Sequence, residues 1–313
     1  MDGAARKTRG GEFGVQQVGR DVAGKDEQGG WGMNTLRVVT REGETIAADG
    51  GGRVLDGGAV GGRSGRSSLE WSEVLVEELA ARSAELEGAE PGEIIGWAVE
   101  RYGDALTMAT AFGPEGMVIL HLLASIAPQT HVFNLDTGYQ FPETLELRER
   151  VHQRYGIEVE FKRPESTVEQ YELQHGGPVY QTDPDRCCFD RKISMLREAA
   201  AGYHAWISAI RRDQSPDRAK APIVGWDKKF GLVKVNPLVN MTKKDIWKMI
   251  VDHEIPYNPL HDQGYTSIGC WPCTRAVMFG EDERAGRWSG RAKTECGLHS
   301  LDDSSGAKSE HLA

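Results

Sequence analysis

The 313-residue sequence has no apolar stretch long enough to cross a bilayer, which excludes a membrane-spanning helix and predicts a soluble protein. It lacks the apolar h-region of a secretory signal and the Arg-rich, acid-poor character of a transit peptide. Positive charge is the minority: 37 Lys and Arg stand against 47 Asp and Glu, a net charge of −10. A generally acidic surface argues against non-specific binding of nucleic acid, while leaving room for a local basic pocket. Cysteine is scarce and odd in number, five in all, and four of the five lie in short pairs. That excludes a secreted disulfide scaffold and suits a reducing, cytoplasmic setting with a metal or redox site. Internal repeats are absent.

Glycine is plentiful, but unevenly placed. Residues 1–66 hold 18 of the 38 glycines, and their charges nearly cancel, 10 basic against 9 acidic. With few apolar anchors such a segment cannot offset its ordering entropy, so a disordered leader is expected there, with Met33 as an alternative start. From Ser67 the texture changes. Residues 68–88 and 91–104 carry apolar residues at helical spacing, the second opening on Pro91, and predict two helices forming an N-terminal cap.

Then an alternation begins. Strands are expected over 105–112, 130–138 and 157–164, with helices over 114–128 and 142–156 between them. Further strands are expected over 204–210, 221–227 and 232–238, and an amphipathic helix over 242–254 with Thr242 as N-cap. This rhythm predicts an α/β fold: a mainly parallel twisted sheet with helices on both faces, spanning a domain of residues 67–290 and followed by a mobile tail over 291–313. Ligands of such sheets bind beyond the carboxyl ends of the strands, where the strand order reverses. The turns "TAFGPEG" (110–116) and "LDTGYQFPET" (135–144) are therefore the places to look. The first offers backbone N–H groups and a helix N-terminus to an anion, although it matches neither GxGxxG nor the Walker pattern. A plain tight turn between strand and helix accounts for it equally well.

The cysteines are more informative. "DRCCFDRK" (185–192) contains Cys187 and Cys188; "SIGCWPCTRA" (267–276) contains Cys270 and Cys273, after a gap of 81 residues. Two distant thiol pairs can close on one metal centre, and their spacing admits either tetrahedral zinc or an iron–sulfur cluster. Basic residues gather in "IRRDQSPDRAK" (210–220) and "GEDERAGRW" (280–288), and arginine forks suit phosphate and sulfate oxygens. Either segment alone reads more readily as a solvated charged loop than as an anion site. Cys296, in "KTECGLHS" (293–300), stands apart with no hydrophobic run around it.

Taken in order, "CC", "IGCWPCTRAV", "GEDERAGRW" and "ECGLH", with "FNLDTG", a following "PET" and "RRDQSPDR", resemble the assimilatory adenylyl-sulfate (APS) reductases of the iron–sulfur type. The likeness covers roughly residues 95–300. It extends to the 3′-phosphoadenylyl-sulfate (PAPS) reductases, which typically lack the two cysteine pairs. The resemblance implies an adenine-nucleotide α-hydrolase-like fold and a 4Fe–4S cluster ligated by Cys187, Cys188, Cys270 and Cys273. It implies Cys296 as the nucleophile, with Lys192, Arg218, Arg284 and Arg287 holding the phosphosulfate. Thr110, Phe112 and Gly113 match the phosphate-loop region, with Thr-Ala where the family frequently has serines, and Leu135, Asp136 and Thr137 match an adenosine contact. The implied partners are APS and a dithiol carrier such as thioredoxin, expected as a separate protein because no second βαβ pattern with a redox Cys-x-x-Cys follows residue 300. Two alternatives stay open: a reductase that accepts or prefers PAPS, and a zinc-stabilised nucleotide-binding regulator in which Cys296 is incidental. Oligomeric state is open.

Overall fold

The computed structural model describes residues 69–291, 293 and 295–298, together with the backbone of two short strands upstream. These strands, β1 (Val38–Val39) and β2 (Thr45–Ile46), pair antiparallel. The rest of the expected leader and residues 299–313 lie outside the described residues. The chain divides into two units, Met1–Gly58 and Ala59–Ala313.

The centre of the second unit is a six-stranded sheet of β3 (Leu106–Ala109), β4 (His131–Leu135), β5 (Val159–Lys162), β6 (Ala205–Ile207), β7 (Val224–Asp227) and β8 (Leu232–Val235), in the order β5-β4-β3-β6-β8-β7. All neighbours run parallel except β7, which pairs antiparallel with β8. Only residues 228–231 join β7 to β8, too few for a parallel crossover, and Gly231 turns the chain at φ +66°. Each strand expected from the sequence is present, shorter than its apolar run.

Neighbouring residues of a strand serve opposite faces. Val132, Ile207 and Val233 join one core cluster with Ile119, Leu123, Ile246 and Met249, whereas Phe133, Trp206 and Leu232 join another with Met195, Leu196 and Ala199. Helices thus cover both faces, as the rhythm of the sequence implies. The first face carries α2 (Pro91–Tyr102), α3 (Pro114–Ile126) and α9 (Lys243–Asp252), while α1 (Glu73–Glu85) packs on β7 at the sheet edge. The Thr242 hydroxyl caps α9 by accepting the Asp245 N–H, and the Asp245 carboxylate accepts the Thr242 N–H in return. The helix α4 (Pro142–Tyr155) connects β4 to β5.

Between β5 and β6 lies a run the periodicity does not predict. It comprises α5 (Val168–His175), α6 (Val179–Thr182), α7 (Pro184–Cys188), a π-helical turn over Phe189–Ile193 and α8 (Ser194–Ala199). Gly176, Gly177, Pro178 and Pro184 cut it into pieces too short to show a helical stripe.

From β3 the chain moves outward to β4 and β5, then returns to place β6 on the other side of β3. The order reverses there. The carboxyl ends of β3, β4 and β6 accordingly flank an open crevice.

Candidate active site

The crevice is a solvent-open cleft floored by Thr110 and Gly113 after β3, and by Leu135, the last residue of β4, and Thr137 just beyond it. Arg218, from the loop after β6, and Ile268, Gly269, Arg284 and Arg287, from the segment after α9, form its other wall. Glu295, Cys296 and Leu298 lie along it too. An adjoining pocket shares Thr137, Lys192, Cys270, Arg287 and Cys296 with the cleft and adds Cys187, Cys188 and Cys273. All five cysteines, scattered over 110 positions of sequence, therefore meet in one place.

Local structure delivers each thiol. Asp183 caps α7 by accepting the Arg186 N–H, which presents Cys187 and Cys188 at the end of that short helix. The π turn follows at once. It buries Arg191, whose guanidinium donates to the Thr137 carbonyl at 2.6 Å and so anchors the turn after β4, and it leaves Lys192 facing the cleft. Cys270 and Cys273 sit on a single 3-10 turn, fixed to the β4–α4 turn because the Trp271 N–H donates to the Tyr139 carbonyl at 2.8 Å. The Thr137 hydroxyl lies 3.3 Å from the Cys270 sulfur.

Burial, reinforced by the neighbouring thiols, pushes Cys187 up to about 12; burial pushes Cys188 up to about 11 against the pull of Lys192. Cys273 is also raised, chiefly by burial. Cys296 is different. Burial raises it too, as does the adjacent Glu295 carboxylate, but the Lys192 ammonium, the Leu298 N–H and Arg287 outweigh them and hold its thiol below the ordinary value. Lys192 moves the opposite way: burial opposes its charge, and the sulfurs of Cys296, Cys270 and Cys188 more than offset that. The Cys296 thiol is thus biased toward thiolate, beside its own counter-ion, where burial moves Cys187, Cys188 and Cys273 the other way.

The segment carrying Cys296 is seated. Lys229 donates to the Gly297 carbonyl at 2.6 Å, and Leu298 packs against the Phe133–Trp206 cluster. Gly297 takes φ +82°, and a Cβ there would come within 2.9 Å of Ile193. Lys293 pairs with Asp185. No hydrophobic run surrounds Cys296 in sequence, yet the fold leaves it only partly exposed.

The expected substrate residues divide. Thr110, Gly113, Leu135, Thr137, Lys192, Arg218, Arg284 and Arg287 all line the cleft. Phe112 does not: at φ +54° its ring turns into the core and packs on Phe161, so its side chain shapes the turn rather than the cleft. Asp136 does not either. Its carboxylate accepts the Gly138 N–H and the Arg163 guanidinium, closing the turn on itself. The start of α3 already holds a carboxylate, Glu115, ion-paired with buried Arg211, so the cation-rich wall opposite is the better seat for an anion. On that wall the Arg287 Nε is buried without a hydrogen-bond partner. Gly269 makes room for it, since a Cβ there would lie 2.2 Å from the Arg287 guanidinium. Sequence reasoning missed Gln140, Gln214 and His261, which also line the cleft. Gln140 stands within the "LDTGYQ" motif, while nothing local to Gln214 or His261 sets them apart. Among the described residues no set of three or more His, Cys, Asp and Glu side chains is gathered closely enough to hold a metal ion.

A parallel sheet with a crevice at its reversal point, walled by arginines, defines an α/β nucleotide-binding class. Comparison with known proteins narrows it. Residues 105–276 match the phosphoadenosine phosphosulfate reductase domain. A protein of Salinibacter ruber named adenosine 5′-phosphosulfate reductase is 44% identical over 246 residues, 78% of this chain and 96% of its own length. One of Gloeobacter violaceus, named phosphoadenosine 5′-phosphosulfate reductase, is 46% identical over 212 residues, 67% of this chain and 88% of its own. The crystal structure of phosphoadenylyl-sulfate (PAPS) reductase from Candida auris, a phosphate complex, superposes with a TM-score of 0.59 at 27% identity, covering 67% of this chain and all of that one. The chain belongs to the phosphoadenosine phosphosulfate reductase family.

Proposed function

We propose that the protein reduces adenylyl sulfate to sulfite and AMP at the expense of a dithiol carrier such as thioredoxin, in the cytoplasm, as a step of sulfate assimilation. One observation carries the reading: Cys296, whose thiol Lys192 helps hold below its ordinary value, lies in the same cleft as Lys192, Arg218, Arg284 and Arg287. The relatives named adenosine 5′-phosphosulfate reductase support it. The Cys296 thiolate attacks the sulfur of APS, the bond from that sulfur to the bridging oxygen breaks, and AMP leaves with the electron pair. The product is an S-sulfocysteine. One thiol of the carrier then attacks the Cys296 sulfur and expels sulfite; its second thiol resolves the mixed disulfide, so the carrier ends oxidised and Cys296 is restored. Lys192 offsets the thiolate, and the arginines stabilise charge growing on the departing phosphate.

The four remaining thiols fit an iron–sulfur cluster by chemistry: soft donors only, drawn from two pairs, lining one pocket with Tyr139, Tyr180 and Trp288 against it. Cys187, Cys188, Cys270 and Cys273 would hold it, releasing their protons on binding. When bound it supplies electrostatic and structural support rather than electrons, since the two thiol steps already provide both. Iron and acid-labile sulfide in anaerobically purified protein are expected; stoichiometric zinc without iron would favour a nucleotide-binding regulator instead.

Sulfite release from APS with reduced thioredoxin tests the whole reading, with Cys296→Ser expected to bind APS and release none. Normal turnover by that variant contradicts it. The Gloeobacter violaceus relative gives a second reading, use of PAPS, which the same assay separates by comparing kcat/KM for the two nucleotides.

A further inference from the structure

The residue next to the nucleophile occupies the arginines. Glu295 meets Arg218 in a two-bond fork, Oε1 to Nε and Oε2 to Nη2, both at 2.9 Å. Its Oε2 is also 3.2 Å from the Arg284 Nη2. The Glu295 and Arg218 side chains are each only 7% exposed. A carboxylate forked by one guanidinium and touched by a second makes the contacts that two oxygens of a phosphate or sulfate group would make. Arg218 and Arg284 come from separate loops, 66 residues apart in sequence, and both line the cleft.

We propose that Glu295 is an internal stand-in for the substrate's phosphosulfate, and that substrate binds by displacing it. The inference rests on the nucleotide reading above. A phosphosulfate reaching these arginines meets a carboxylate that already takes their donors and repels a second anion. Desolvating both anions together is unfavourable, whereas exchanging one for the other conserves the buried ion pairs. Displacement has a mechanical consequence. Glu295 and Cys296 are adjacent, with about 3.8 Å between their Cα atoms, so expelling the carboxylate moves the thiol. Lys229, through the Gly297 carbonyl, and Leu298, in its apolar seat, hold the segment on the other side of Cys296. The segment can therefore pivot there rather than detach. Arrival of the substrate and repositioning of the nucleophile become one event, and before substrate arrives the arginines are kept from other small anions.

The test is equilibrium binding of APS to the full chain carrying Cys296→Ser, which blocks turnover, with and without Glu295→Gln. Adenosine, which has no phosphosulfate, is the control ligand. Removing the competing charge is expected to tighten APS binding about tenfold, the worth of one charge-assisted hydrogen bond, and to leave adenosine unchanged. Glu295→Asp, with a shorter reach, should tighten it less and serves if the Gln variant fails to fold. A damaged fold weakens both ligands, so tightening is a sign that a structural role does not produce. APS binding unchanged or weakened by both variants overturns the inference and makes Glu295 a clasp that works with substrate in place. Failure of the Cys296→Ser protein to bind APS at all removes the nucleotide reading itself, and the inference with it.

Discussion

Arg211 carries a charge into a place where its side chain is 1% exposed, and three carboxylates, on Glu115, Asp213 and Glu283, face it there. Removing one member of a buried ion network strands the others. Arg211→Met is therefore expected to cost about 3–5 kcal/mol of unfolding free energy, read from the denaturant midpoint, and to loosen the start of α3. A loss under about 1 kcal/mol, the worth of an exposed pair, would show that water reaches the network. The sequence singles out Arg211 no more than its neighbour Arg212, because burial depends on β6 ending beside α3. The same limit explains Phe112 and Asp136. A motif match names positions, whereas the direction of a side chain follows from φ at Phe112 and from the Asp136 carboxylate folding back on Gly138. Cysteines and arginines were legible because few other chemistries use those residue types in that order.

At the scale of elements, alternating apolar runs sufficed to expect β3 through β8 and their major helices, since period 2 and period 3.6 leave distinct traces. The antiparallel direction of β7 is not in its periodicity; it follows from the length of the connection to β8. The π turn after Cys188 is less legible still. A π turn differs from an α turn by one residue of hydrogen-bond register, and that single residue sends Arg191 inward and Lys192 to the cleft. Loop geometry matters equally on the opposite wall, where the absent Cβ of Gly269 leaves space for Arg287. Gly269→Ala should displace that guanidinium and weaken APS binding about tenfold while leaving the thermal unfolding midpoint nearly unchanged. Unaltered affinity would mean that Arg287 does not touch substrate.

Across the whole molecule, stability should depend on pH through a group that does not line the cleft. His121 on α3 is held down to about 4, first by burial and then by the neighbouring His253 and Arg154 charges, against 6.5 for a free imidazole. As pH falls below 6.5 the unfolded chain binds a proton at His121 that the folded chain refuses, so stability is full above that value and drains between 6.5 and about 4. The loss is about 1–2 kcal/mol after allowing for partial exposure. Denaturant unfolding at neutral and acid pH should show it, and His121→Gln should remove that part of the slope. An unchanged slope would assign the acid sensitivity to other groups. The packing of α3 against α9 was foreseeable only as two apolar faces; that a histidine pair would be enclosed near it was not.

The same scale holds the central claim, because Cys296 gains its setting only when β4, the π turn, the loop after α9 and the segment around Gly297 come together. Among the described residues no helix is long and apolar enough to cross a membrane, and every residue the proposed chemistry uses falls within the unit Ala59–Ala313. The most direct test is the intact mass of the protein after incubation with APS and no thiol reductant. The account predicts a gain of one SO3 group per chain, mapped by peptide analysis to Cys296 and released as sulfite when reduced thioredoxin is added. An unmodified Cys296 in protein that binds APS, or an adduct on any other cysteine, would contradict it.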